Sequence, residues 1–154
     1  MARARVARRL RDEEVVAAAV RVVLETGVVV GQELLRDLVL ELVGDRGGAP
    51  AGLTPERARR LAARSGLVEI DVRVRDGGTT PDLDGCLVCA SALERTANRT
   101  LTGGRVPTGY RCRRCGWWTG ARELRVPARY VFAAKLERKG GQTRFRRSER
   151  QRTL

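Results

Sequence analysis

Two short cysteine pairs constrain this chain more than any other feature. Cys86 and Cys89 enclose Leu87 and Val88, Cys112 and Cys115 enclose Arg113 and Arg114, and 22 residues separate the pairs. The 154 residues contain no other cysteine and no histidine. A Cys-x-x-Cys turn aims two sulfurs at one point, and two such turns supply four thiolates for one tetrahedral Zn2+ ion. A metal closed by four protein ligands keeps no position for water or substrate, so the predicted site is structural rather than catalytic. Two disulfides would suit a secreted chain, but Arg3, Arg5, Arg8 and Arg9 break up any apolar core of a signal peptide. A redox Cys-x-x-Cys pair usually occurs once, at a helix start after a strand. Thiolate metal chemistry belongs to a reducing compartment, so an intracellular, cytoplasmic location is expected.

Charge narrows the partner. Lysine and arginine number 31 against 18 acids, for a net charge of +13. All the basic residues except Lys135 and Lys139 are arginine. Genomic base composition can explain arginine over lysine, but not the excess of bases over acids. That excess predicts a polyanionic partner, DNA or RNA. No apolar run approaches the ~20 residues of a membrane span, so no membrane partner is expected.

The chain divides on its periodicity. Residues 1–11 hold five arginines and no acid, and read as a basic arm or the first turns of a helix. Residues 12–76 form the first module. Asp12, Glu13 and Glu14 suit the positive end of a helix dipole, and Val15, Val16, Ala19, Val20 and Val23 recur at helical spacing up to Gly27. Val28, Val29 and Val30 make a short strand. Residues 32–43 form a second helix with Leu34, Leu35, Leu38, Val39 and Leu42 inward, and residues 44–53 read as a flexible loop. Thr54, Pro55 and Glu56 open a third helix that Gly66 ends. Its predicted buried face is Ala58, Leu61, Ala62 and Ser65, and Arg57, Arg60 and Arg64 form a stripe beside it for a nucleic-acid groove or phosphates. Val68, Ile70, Val72 and Val74 alternate with charged residues, which is a strand.

Helix, short strand, two helices and strand in this order resemble a winged-helix domain. Two departures stand out. The connection between the second and third helices is about ten residues, longer than the ~3–4 of a helix-turn-helix. Only one wing strand precedes the linker at residues 77–85, so a second is missing or comes from further on. Residues 86–120 resemble a zinc ribbon, with residues 93–101 and 105–111 pairing across Thr102, Gly103 and Gly104. Gly116 matches the glycine that often follows a knuckle, where the first pair has Ala90. Trp117 and Trp118 face opposite sides of a strand. One is expected in the core, and the other, taken as Trp118, beside Arg113 and Arg114, where it can stack on bases. Residues 121–136 read as one more strand, grouped with the ribbon as a module over 86–136, and Pro127 argues for an edge or a break there. Residues 137–154 are a basic tail in which Arg144, Arg146 and Arg147 can meet phosphate.

The predicted fold is thus α+β: a three-helix winged-helix-like module, a four-cysteine β ribbon and a basic tail. The whole resembles the small winged-helix plus zinc-ribbon nucleic-acid-binding proteins frequent in archaea. The resemblance implies a DNA-binding regulator or chromosome-associated factor. Its alternatives are an RNA-binding or ribosome-associated protein and a protein-docking adaptor of transcription or translation machinery. No enzyme is expected, since the commonest general base, histidine, is missing.

Overall fold

Helix α1 (Asp12–Thr26) starts where three acids meet its dipole and stops at Gly27, whose N–H still reaches the Val23 carbonyl at 2.8 Å and whose φ of 81° then turns the chain out of the helix. The computed structural model describes residues 8–44 and 50–135. Before α1 lies β1 (Arg8–Arg9), and after it come β2 (Val28–Val30), α2 (Gln32–Gly44), β3 (Pro50–Ala51) and α3 (Pro55–Ser65). The chain continues through β4 (Val68–Asp76), β5 (Glu94–Arg99), β6 (Arg105–Arg111), β7 (Trp118–Gly120) and β8 (Arg125–Ala134). Thr54 caps α3 by accepting from the Arg57 N–H at 3.1 Å, and Gly66 ends it in the left-handed region. Among the described residues no helix is long and apolar enough to cross a membrane.

Three helices cover one face of an antiparallel sheet whose order is β2-β8-β4. A strand from beyond the cysteines completes this sheet: β8 lies between β2 and β4, with Phe132 opposite both Val29 and Ile70. Grouping residues 121–136 with the ribbon does not describe this strand, because its pairing partners are both in the first module. Phe132, Val29, Val15, Val23, Leu35 and Val39 are fully buried and form the centre of the core. Burying Phe132 contributes roughly 1.5–3 kcal/mol relative to exposure. Pro127 sits at a bulge, where the register slips between Arg73 and Val74. There β8 has run past β2 and has β4 on one side only, so the missing N–H faces no strand.

Local periodicity located the helices better than their faces. In α1 the buried set is Val15, Ala18, Ala19, Val22 and Val23, with Val16 and Val20 half-buried. In α2 it is Leu35 and Val39, four apart, while Leu34 is exposed. Residues 8–11 are not helical. β1 pairs in parallel with β3, and Leu10 is buried in the core. That pairing gives order to the end of the stretch read as a flexible loop, where Leu53 is also buried.

The second sheet has the order β5-β6-β7 and belongs to the cysteine module. β5 and β6 pair from Glu94 opposite Arg111 to Arg99 opposite Arg105, as the turn at residues 102–104 predicted. Residues 77–85 are tied down rather than free. Gly77 and Gly78 exchange backbone hydrogen bonds with Leu124 at 2.8 Å each, and Asp82 accepts from the Tyr110 hydroxyl at 3.1 Å.

Candidate metal centre and its attachment to the third helix

The two cysteine turns are built alike. Cys86 N–H donates to the Ser91 carbonyl and Ala90 N–H returns to the Cys86 carbonyl. In the second turn Cys112 N–H donates to the Trp117 carbonyl and Gly116 N–H returns to the Cys112 carbonyl. The residue after each second cysteine is left-handed: Ala90 has φ 58° and Gly116 has φ 78°. This conformation lets each turn reverse tightly, and Val88 N–H points at Cys86 Sγ at 3.4 Å.

The turns bring all four sulfurs within 4.8 Å of one another. Cys86 Sγ lies 3.5 Å from Cys115 Sγ, and Cys89 Sγ 3.5 Å from Cys112 Sγ. Tetrahedral thiolates at ~2.3 Å from one ion are ~3.8 Å apart, a value between the 3.5 Å of the two close pairs and the 4.8 Å limit on the set, so small shifts accommodate a metal. No cysteine is in a disulfide. Cys86, Cys89 and Cys112 are buried, and Cys115 is partly exposed. As thiols alone the four compete for protons. Hydrogen bonds from Cys115 and Cys86 hold Cys89 far below the ordinary thiol range. The contacts of Cys115 with Cys86 and Cys89, with burial, push Cys115 far above it. Cys86 is pulled down by Cys115 but raised more by Cys89 and burial, to about 12. A divalent cation resolves this competition by letting every sulfur ionise. The four cysteines can thus bind one metal ion.

Helix α3 grips the first turn through its arginines. Arg59 is buried; its Nε donates to the Val88 carbonyl at 2.9 Å, and its Nη1 donates to Gln32 Oε1 at 2.7 Å and to the Tyr130 hydroxyl at 2.9 Å. Its guanidinium also lies over the Tyr130 ring, 4.6 Å from the centroid. Burial raises the Tyr130 hydroxyl above its usual range, partly offset by the Arg59 charge. One turn on, Arg64 Nε donates to the Cys89 carbonyl at 2.8 Å. Two arginines thus hold two consecutive carbonyls of the cysteine turn.

This attachment alters how the predicted arginine stripe is used. Arg57 donates to the Leu10 carbonyl at 2.8 Å and pairs with Asp12. Arg64 is engaged by the cysteine turn, and Arg60 pairs with Glu56 at 2.7 Å. The buried face of α3 is Ala58, Arg59, Ala62 and Ala63, with Leu61 and Ser65 only half-buried. It is rotated towards Arg59 because a second layer, the cysteine turn, covers that side. Arg59, Gln32 and Tyr130 were not singled out from the sequence. One signal was present: Ala62 and Ala63, three and four residues after Arg59, leave room for a close neighbour.

The other predicted contacts lie on the cysteine module. Trp117 is buried and Trp118 is 52% exposed. Arg125 lies over the Trp118 ring at 3.9 Å. Arg113 is exposed and forms a two-pronged pair with Glu94 at 2.8 and 2.6 Å. Its hydrogen bonds, and then its charge, hold the Glu94 carboxyl below the usual carboxylate range, and the same pairing raises Arg113. Arg114 is exposed and makes no ion pair among the described residues. Arg144, Arg146 and Arg147 lie outside the described residues. No family model, no curated protein and no solved structure matches the chain.

Proposed function

We propose that the chain is a zinc-stabilised, non-enzymatic DNA-binding protein, a transcriptional regulator or chromosome-associated factor with a winged-helix-like module. The observation that carries this reading is the β2-β8-β4 sheet behind three helices, closed by a strand from beyond the cysteine module. That connectivity suits a winged helix whose wing has been extended by a ribbon. Zinc is the ion that four thiolates in a closed site favour, and such a site leaves the metal no position for substrate. The charge of +13 supplies the attraction to phosphate. On this reading Arg60 and Arg114 contact phosphate. Arg57 and Arg64 serve first to hold the fold.

A second reading, RNA or ribosome association, is favoured by exposed Trp118, which can stack on an unpaired base. Titrating the metal-loaded chain against duplex DNA and structured RNA over a salt series decides between them. The DNA reading expects tighter binding to duplex DNA, falling linearly in log affinity with log salt. Tighter binding to RNA favours the second reading. Binding to neither above a charge-matched polyanion overturns both. Metal analysis is expected to give one zinc per chain.

A further inference from the structure

The β5–β6 hairpin is exposed on both faces. Residues 97–108 are all exposed, and Leu101 at the tip is wholly so. A two-stranded hairpin is at best marginally stable by itself in water. This one is nonetheless well anchored. At its base the cysteine turns clamp it, Tyr110 bonds to Asp82, and Gly109 lies so close to β7 that a Cβ there would stand 2.0 Å from the Thr119 carbonyl. At its tip the Thr100 N–H donates to the Gly104 carbonyl at 2.8 Å, and Thr100 Oγ1 accepts from the Gly104 N–H at 2.9 Å.

Its charge is one-sided. Residues 94–111, the hairpin, contain four arginines against one acid, Glu94 at its base. Arg99 and Arg105 stand directly opposite each other where the hairpin closes. Like charges in that position repel. Neither makes an ion pair among the described residues, so nothing in the described part of the chain offsets the repulsion. A polyanion would. The B-DNA major groove is about 12 Å wide and admits a two-stranded ribbon, whereas the major groove of duplex RNA is too deep and narrow for side chains to read. Six-residue β5 spans about 20 Å, which reaches well into such a groove.

Resting on the DNA-binding reading above, we propose that the β5–β6 hairpin is the element that enters the major groove of duplex DNA. Arg99 and Arg105 reach base edges or the flanking phosphates, Leu101 makes the apolar contact at the tip, and Arg111 meets the backbone nearer the metal. Helix α3, with Arg57 and Arg64 committed to carbonyls of neighbouring segments, is secondary.

The test uses the full metal-loaded chain and a labelled mixed-sequence DNA duplex of about two helical turns, read by anisotropy across a salt series. Methylation protection at guanine N7 reports major-groove occupancy. Arg99→Gln/Arg105→Gln should weaken binding at least tenfold at moderate salt, lower the salt slope by about 2 and abolish the N7 protection. Its metal content and circular dichroism should stay unchanged, since both side chains are exposed. The charge-matched control Arg21→Gln/Arg36→Gln, on the helices, should change affinity less than threefold. If wild type binds the duplex but the hairpin variant binds equally well, or N7 is never protected, the hairpin inference fails and the DNA reading stands. If wild type binds no duplex, the DNA reading itself fails. Tighter binding to an RNA duplex, lost in the hairpin variant, overturns the major-groove assignment.

Discussion

Helix α3 and the β5–β6 hairpin are both rich in arginine, yet they use it in opposite ways. On α3, Arg59 is buried and satisfied by the Val88 carbonyl, Gln32 and Tyr130, while Arg57 and Arg64 reach backbone carbonyls of neighbouring segments. On the hairpin, Arg99 and Arg105 face each other in solvent. Arginine has five donors in a planar fork and can bridge several carbonyls at once, which a lysine cannot do as well. The same chemistry that recognises phosphate therefore serves here as an internal fastener. A high net charge favours polyanions in general. It does not say which arginines remain available, and the environment of each one decides that.

Metal removal should expose the difference most sharply. A structural thiolate site contributes roughly 10 kcal/mol or more to the fold it closes. The cysteine module lies between β4 and β8, so its loss lengthens one connection in the other sheet, which costs only a few tenths to about 1 kcal/mol of loop entropy. Chelation or Cys89→Ser should therefore melt β5, β6 and β7 and shift the fluorescence of buried Trp117 to the red, with most of the helical circular dichroism retained. Loss of helix in the same transition would mean that the α3 attachment makes the two modules one cooperative unit.

The next effect isolates that attachment. Arg59→Ala removes donors from three buried or half-buried acceptors, at about 2–4 kcal/mol. Arg99→Ala, on the exposed hairpin, should change stability by less than about 0.5 kcal/mol. Urea denaturation of the two variants measures both. Equal losses would erase the distinction between inward and outward arginines.

How far the sequence revealed this depends on whether a feature is written locally. The cysteine pairs, the Thr54 cap, the stop at Gly66, the alternation of β4 and the pairing of β5 with β6 are each set by residues a few positions apart, or by one turn. The place of β8 is not. Its neighbours Val29 and Ile70 lie far back in the chain, and its apolar run with Pro127 reads equally well as an edge. Arg59 was hidden for the same reason: its main acceptor, Val88, is 29 residues away, and a helical wheel shows only the helix's own side. The inward faces of α1 and α2 were displaced from their apolar stripes because the position of α3 and the sheet, rather than periodicity alone, decides which valine or leucine is covered.

The smallest effect concerns the cysteine turns themselves and asks whether they are as alike energetically as they are in hydrogen bonding. Ala90 and Gly116 occupy equivalent left-handed positions, at φ 58° and 78°. An L-residue with a Cβ is strained there by roughly 1 kcal/mol, and glycine is not. Ala90→Gly removes that strain but loosens the unfolded chain, which offsets part of the gain. Gly116→Ala adds strain, and since a Cβ there meets nothing within 4 Å, no clash contributes. Ala90→Gly should therefore change stability by a few tenths of a kcal/mol in the favourable direction, and Gly116→Ala should cost about 1 kcal/mol. Thermal or urea midpoints of the metal-loaded variants, at fixed free zinc, read both. A cost for Ala90→Gly as large as that for Gly116→Ala would show that the Ala90 methyl is held by contacts that outweigh its backbone strain, and the equivalence of the two turns would end at their hydrogen bonds.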